Sequence, residues 1–329
     1  MRAAAPLSAV PQPSSRGPGA PDDSLGSRVH HLARSLKQQW KRYRKELKRC
    51  QRKCSAKAIH SFRIESRRLL SSLELLDGFL PARQTEKAQR LLKRHLDIFD
   101  DLRDTQVQLA VVGGMRRAFS AARPFHAWLR AWEERFARKT CKNINKVKTA
   151  RLGKMIAVCR GEVEERLGKS TPREALAALL RSVDRAFGRT RQLRTRIDAR
   201  DTLTIHRTRV AFKRFRYMVE TMTEHLPAVT HERLSAMRHY QTMMGEIQDA
   251  EMLLRALDKF LRKQETELAA AHRFRAELLR RRQRLIRVYL KTADQLLEFW
   301  PLPDSRAGVP PAPRGSLARE SRAGISAES

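Results

Sequence analysis

AIHSFRIESRRLLSSLELL, residues 58–76, is the stretch on which the reading of this chain turns. Its apolar residues Ile59, Phe62, Leu69, Leu73 and Leu76 recur at helical spacing. Nowhere does the chain sustain the period-two alternation of a half-buried strand. At about 100° per residue, His60, Arg63 and Arg67 fall within roughly 60° of one another. They form one stripe, and that stripe borders the apolar face instead of opposing it. A second stretch, TIHRTRVAFKRFRYMVETM at residues 204–222, repeats the arrangement. His206 matches His60, Arg209 matches Arg63, Lys213 matches Arg67 and Arg214 matches Arg68. Ile205, Phe212, Phe215, Val219 and Met222 supply the second apolar face, and Arg216 lies beside the second stripe.

The repeat extends further. FDDLRD, ending at Asp104, is matched by MGEIQD, ending at Asp249. The offset from His60 to His206 is 146 residues, and that from Asp104 to Asp249 is 145. Two matches at a near-constant offset point to duplication of a whole bundle, not of one helix. The fold class expected is all-α: two similar antiparallel helical bundles, 27–168 and 172–299, from an internal duplication, with a basic central cavity or groove. Helices are expected at 27–53, 57–78, 82–112, 115–150, 153–168, 172–199, 203–225, 229–263 and 267–299, with Gly113–Gly114 as a break. The Pro/Ala/Ser/Gly-rich residues 1–26 and the Pro-rich residues 301–329 are expected to be disordered tails.

Charge narrows the function. The chain carries 69 Lys and Arg against 35 Asp and Glu, a formal net charge of +34. Such an excess repels itself in a compact fold, and an anion bound to the folded form relieves the strain. Arginine suits phosphate through its planar fork of donors, and histidine adds a charge that rises as pH falls. A cationic stripe sheltered at a core edge makes stronger charge-assisted bonds than one facing open water. Nucleic acid is the second reading, but aromatics are only 6% and leave little material for base stacking. No helix-turn-helix, zinc-finger or RNP signature appears. Without a P-loop or Gly-rich phosphate cradle, phosphotransfer through His60 or His206 is a weaker third reading. No catalytic residue, metal or cofactor is expected.

No apolar run approaches the ~18 residues that suggest a membrane span, so no membrane partner is expected. Cys50, Cys54, Cys141 and Cys159 match neither a disulfide framework nor metal spacing, and are expected to be free thiols in a reducing cytoplasm. Asp101, Asp104, Glu246 and Asp249 are expected to orient the motif arginines. Spaced three apart, each pair could instead hold a divalent cation. Arg68 and Arg214 stand some 80–100° off their stripes, where salt bridging competes with ligand contact. Trp128 and Trp132 read as core.

The segments IHSFRIESRRL from Ile59 and IHRTRVAFKRFRY from Ile205, with LRD ending at Asp104 and IQD ending at Asp249, resemble the CHAD family (conserved histidine α-helical domain). The resemblance covers residues 27–300. It implies two similar bundles around a basic cavity, binding of inorganic polyphosphate and association with polyphosphate granules. It also implies that His60, Arg63, Arg67, Arg68, His206, Arg209, Lys213, Arg214 and Arg216 contact phosphates, with Lys57 and Arg103 as further additions. Leu70 stands where the second copy has Arg216, and Gln248 where the first has Arg103, so the halves would contribute unequally. Some CHAD chains carry an appended CYTH triphosphate-processing domain. No ExExK strand motif of that kind appears, so hydrolysis is not implied.

Overall fold

A computed structural model describes residues 23–223, 226, 228–262 and 268–301. The expected tails lie outside the described residues, except that residues 23–26 form the first turn of helix α1 and Pro301 follows the last packed residue. Ten α-helices are described: α1 Asp23–Arg52, α2 Ala56–Leu75, α3 Ala82–Asp97, α4 Asp100–Met115, α5 Ala122–Asn145, α6 Ala150–Lys169, α7 Pro172–Arg194, α8 Thr202–Thr221, α9 His231–Leu261 and α10 Leu268–Thr292. No strand occurs among the described residues, and no helix there is long and apolar enough to cross a membrane.

Local chemistry explains several boundaries. Side chains of Ser55, Asp201 and Thr230 accept from first-turn N–H groups of α2, α8 and α9, which satisfies donors that no intrahelical carbonyl can reach. α7 opens with a capping box between Thr171 and Glu174 and with Pro172 at its first position, where a missing N–H costs nothing.

Two expectations are corrected. The helix expected over 82–112 is broken at Ile98–Phe99, where no Gly or Pro marks a stop. Thr140 on α5 donates to the freed carbonyl of Ile98 at 3.2 Å. Asp100 and Asp101 open α4, where their charge favours the helix N-terminus. The break expected at Gly113–Gly114 is absent, and α4 runs through both glycines to Met115. Two glycines cost about 2 kcal/mol of helix propensity. Burial of Leu109 and Val112 beside them offsets that cost.

Apolar residues gather in two clusters, and neither belongs to one half of the repeat. The larger draws on α1, α2, α3, α6, α7, α8 and parts of α9 and α10. The smaller joins Leu109, Val112, Phe125 and Leu129 to Leu253, Leu257, Phe260 and Phe274. α9 contributes to both, with Met237 to Ile247 in the large cluster and Leu253 to Phe260 in the small one. All five apolar residues assigned to the face of α8 are buried, as are Phe62, Leu69, Leu73 and Leu76 on or beside α2. Phe212 packs at a tilt against the rings of Phe215, Tyr240 and Phe299, with centroids 4.9–5.9 Å away. Truncating it to Ala would cost about 3–5 kcal/mol. Trp128 packs against the smaller cluster, in line with its reading as core. Trp132 is half-buried beside it.

The cysteine expectation also needs correcting. Cys54, in the turn before α2, and Cys141, on α5, form a disulfide across 87 residues of sequence. Only Cys50 and Cys159 are free. Both are buried, and burial pushes each thiol up to about 11. Cys54 meets its partner through the packing of distant helices, which spacing along the chain does not reveal.

Candidate functional site

α2 and α8 pack directly against each other. Thr221 faces Ser71 across the seam at 3.3 Å between hydroxyl oxygens. Arg214 crosses it to Asp77 at 2.9 Å and Glu74 at 3.5 Å. This packing brings the two cationic stripes to one centre. Arg63, Arg67, Arg209 and Lys213 act on one another electrostatically there, and Arg103 joins them from the start of α4. Matching places of the repeat meet: Arg67 acts on Lys213, and Asp104 acts on Asp249.

The centre is a charged layer between two apolar cores. On α4, Arg103 and Asp104 lie between Phe99 of the large cluster and Leu109 of the small one. On α9, Gln248 and Asp249 lie between Ile247 and Leu253. Loss of hydration therefore dominates the electrostatics. Burial, reinforced by Arg67, brings Arg63 down to about 10 even with Asp100 at 3.5 Å. Burial also lowers Arg209, against the pull of Asp249. Lys213 falls to about 7, through burial first and then through Arg67, Arg209, Arg63 and Arg103. No carboxylate is among these groups acting on it. His206 is lowered by burial and by Arg209, and a hydrogen bond with Gln248 works in the other direction. Asp104 and Asp249 are raised by burial, and both feel Arg103.

Three buried polar atoms in this layer have no hydrogen-bond partner, Arg67 Nε, Arg209 Nε and His206 Nδ1, and Arg63 Nη1 has only the ion pair with Asp100 at 3.5 Å. Buried polar groups are nearly always satisfied, and an unsatisfied one costs about 1–3 kcal/mol.

Six of the eleven residues singled out from sequence thus converge: Arg63, Arg67, Arg103, His206, Arg209 and Lys213. The others are directed elsewhere. Arg68 bonds Glu65 on its own helix at 2.6 Å. Arg214 stitches α8 to α2. Arg216 is buried over the ring of Tyr217, paired with Glu220 and donating to Gln241 at 2.9 Å. His60 and Lys57 are exposed near the start of α2. Of the four carboxylates expected to hold motif arginines, Asp104 contacts Arg103 at 3.2 Å and Asp249 acts on Arg103 and Arg209. Asp101 instead reaches Lys139 on α5 at 2.9 Å, and Glu246 is exposed. Asp100, one place before Asp101, takes the role at Arg63. Sequence reading missed it, although it sits inside the FDDLRD segment. Among the described residues, no group of three or more His, Cys, Asp or Glu could hold a metal ion.

Arg67, His206 and Lys213 also line a groove of about 1220 Å³ between α2, α3, α7 and α8. Its walls are not uniformly basic. Glu74, Asp77, Asp97 and Asp100 alternate with Lys93, Arg185, Arg189 and Arg207.

Fold and site together define an all-helical protein with a cationic layer held between two apolar cores. The family model for the CHAD domain matches residues 31–258, and the chain belongs to the CHAD family. It is similar to a solved structure described as the CHAD domain from the plant Ricinus communis, at 18% identity and a TM-score of 0.56, over 86% of this chain and 91% of that one. At that identity the likeness speaks for the fold. No curated relative matches the chain.

Proposed function

We propose that this chain binds inorganic polyphosphate, without turning it over, at the layer formed by Arg63, Arg67, Arg103, His206, Arg209 and Lys213. The observation that carries the reading is the cluster of cations at one centre, where the buried donors Arg67 Nε and Arg209 Nε have no hydrogen-bond partner. Phosphate oxygens would accept those bonds and neutralise the charge in one step, and a chain of phosphates does so at several points at once. The family supplies the ligand class, since CHAD domains are associated with polyphosphate. We read the location as cytoplasmic, at polyphosphate granules. That part is tested by whether a fluorescent fusion follows granules as they form and dissolve.

Nucleic acid would satisfy the charge, but two of the half-buried rings that could stack on its bases already face cations. The ring of Trp132 is covered by Lys259 at 4.9 Å and Arg135 at 5.2 Å, and that of Phe136 by Lys139 at 5.8 Å. Calorimetry with polyphosphate and RNA at matched phosphate concentration separates the two ligands. The expected result is tight polyphosphate binding that weakens with salt and is abolished in R63A/R67A/R209A/K213A while helicity is kept. Unchanged affinity in that variant, or preference for RNA, overturns the reading.

A further inference from the structure

A second cluster of cations sits at the opposite end of α4. Arg116, Arg117, Arg123 and His126 line a hollow of about 730 Å³ at the corner between α4 and α5, with Gly113 and Gly114 on its floor. No acidic residue lines it. A Cβ added at Gly114 would meet nothing within 4 Å, so the floor is open. The three arginines are exposed, and no ion pair holds them among the described residues. Several arginines on α10 are instead held by carboxylates. Arg275 pairs with Asp258, Arg280 and Arg284 with Glu277, and Arg282 with Glu251. What sets the corner apart is that its cations line one hollow together with no carboxylate among them. Burial lowers His126, and Arg116 and Arg130 lower it further.

Geometry links the corner to the central layer. Residues 103, 107, 110 and 114 follow one another at steps of four, three and four, so Arg103, Val107, Ala110 and Gly114 share one face of α4. That face is half-buried at Arg103 and Val107 and exposed at Ala110 and Gly114. It carries no acidic residue and no bulky exposed side chain. Eleven residues at 1.5 Å each place Gly114 about 16 Å from Arg103 along the helix. A flexible polyanion held at Arg103 can run along this face to the corner.

We infer that the α4–α5 corner is a second anion site, formed by Arg116, Arg117, Arg123 and His126, which grips the far end of a polyphosphate chain already held at the central layer. This rests on the proposed central binding and adds a preference for length. A short phosphate oligomer fills the centre alone, whereas a long chain engages both sites and gains by effective concentration.

The test compares tripolyphosphate with long-chain polyphosphate by calorimetry on full-length protein. Three variants accompany the wild type: R116A/R117A/R123A at the corner, R67A/K213A at the centre, and R138A/R151A/R173A as a charge-matched control of scattered exposed arginines. The corner variant is expected to lose about tenfold or more in long-chain affinity and less than about twofold for tripolyphosphate. Its salt slope for the long chain should fall by about 2. The central variant is expected to lose both ligands, and the control neither. Unchanged long-chain affinity in the corner variant overturns the second site. An equal loss in the control does so too, by reducing the effect to net charge. Long-chain binding that survives the central variant but not the corner variant overturns the central reading and leaves the corner as the anion site. A wild type that binds neither ligand sinks both.

Discussion

Arg63 on α2 and Arg209 on α8 hold matching places in the repeat, yet they meet different neighbours. Arg63 has Asp100 at 3.5 Å and the ring of Phe99 at 5.7 Å. The place that matches Asp100 in the second copy is Gly245, where a Cβ would lie 3.4 Å from Arg209 Nε. Arg209 therefore depends on Asp249, four residues further along α9, and less on Asp104, for its counter-charge. The histidines diverge as well: His60 is exposed, whereas His206 is half-buried beside Gln248. Helical spacing aims the two stripes alike. How far each is neutralised depends on what stands opposite, and the second copy is left with the larger uncompensated charge.

The first copy alone carries the Cys54–Cys141 staple. A native disulfide typically stabilises by about 2–4 kcal/mol. C54S/C141S should lower unfolding stability by that amount in denaturant titrations, with helicity kept. Thiol titration of the unfolded, unreduced protein should find the two cysteines that are free. Four titrating thiols would remove the staple and restore the original expectation. Such bonds are uncommon in a reducing cytosol, so the count bears on location too.

Charge deletion reads the asymmetry directly. With charge-assisted bonds at about 1.5–3 kcal/mol each, R209A/K213A should weaken polyphosphate binding by about a hundredfold or more. R63A/R67A should cost closer to tenfold, because Asp100 already offsets part of its charge. Equal losses in calorimetry would dissolve the distinction between the copies.

Lys213 gives the comparison a pH signature. Its pKa is lowered to about 7 in the fold, against about 10.4 in an unfolded chain. Between those values the unfolded state holds the extra proton, so this group makes the free protein more stable as pH rises from 7 to 10. Polyphosphate favours the protonated amine, so affinity should move the opposite way. We expect a fall of about three- to tenfold from pH 6 to 8.5, with proton uptake on binding near neutral pH. K213R, which stays charged, should flatten the profile. A profile identical to wild type would remove Lys213 from the site.

The smallest effects come from exchanging what stands opposite each arginine. G245D sets a carboxylate beside Arg209 and should weaken binding about two- to threefold, while D100N should strengthen it about twofold. Indifference to both changes, measured by competition with labelled polyphosphate, would mean that local neutralisation does not control affinity.

Much of this molecule was legible in its residues. The helices and the apolar faces of α2 and α8 follow from side chains recurring near 100°, a rule that acts within one helix and needs no partner. The same rule aimed Arg63, Arg67, Arg209 and Lys213 along common stripes. It could not say that Arg214 would turn to Asp77, Arg216 to Glu220, or Asp101 to Lys139, because those choices depend on which helix lies a few ångströms away. The break at Ile98–Phe99 was equally hidden, since the group that satisfies it, Thr140, is 42 residues distant. Sharing of both cores between the halves, the Cys54–Cys141 bond and the gathering of six polar side chains into one partly desolvated layer were likewise decided only in three dimensions. Periodicity along a chain sets the direction in which a side chain points. Only packing sets what it meets there, and desolvation on meeting it sets its charge.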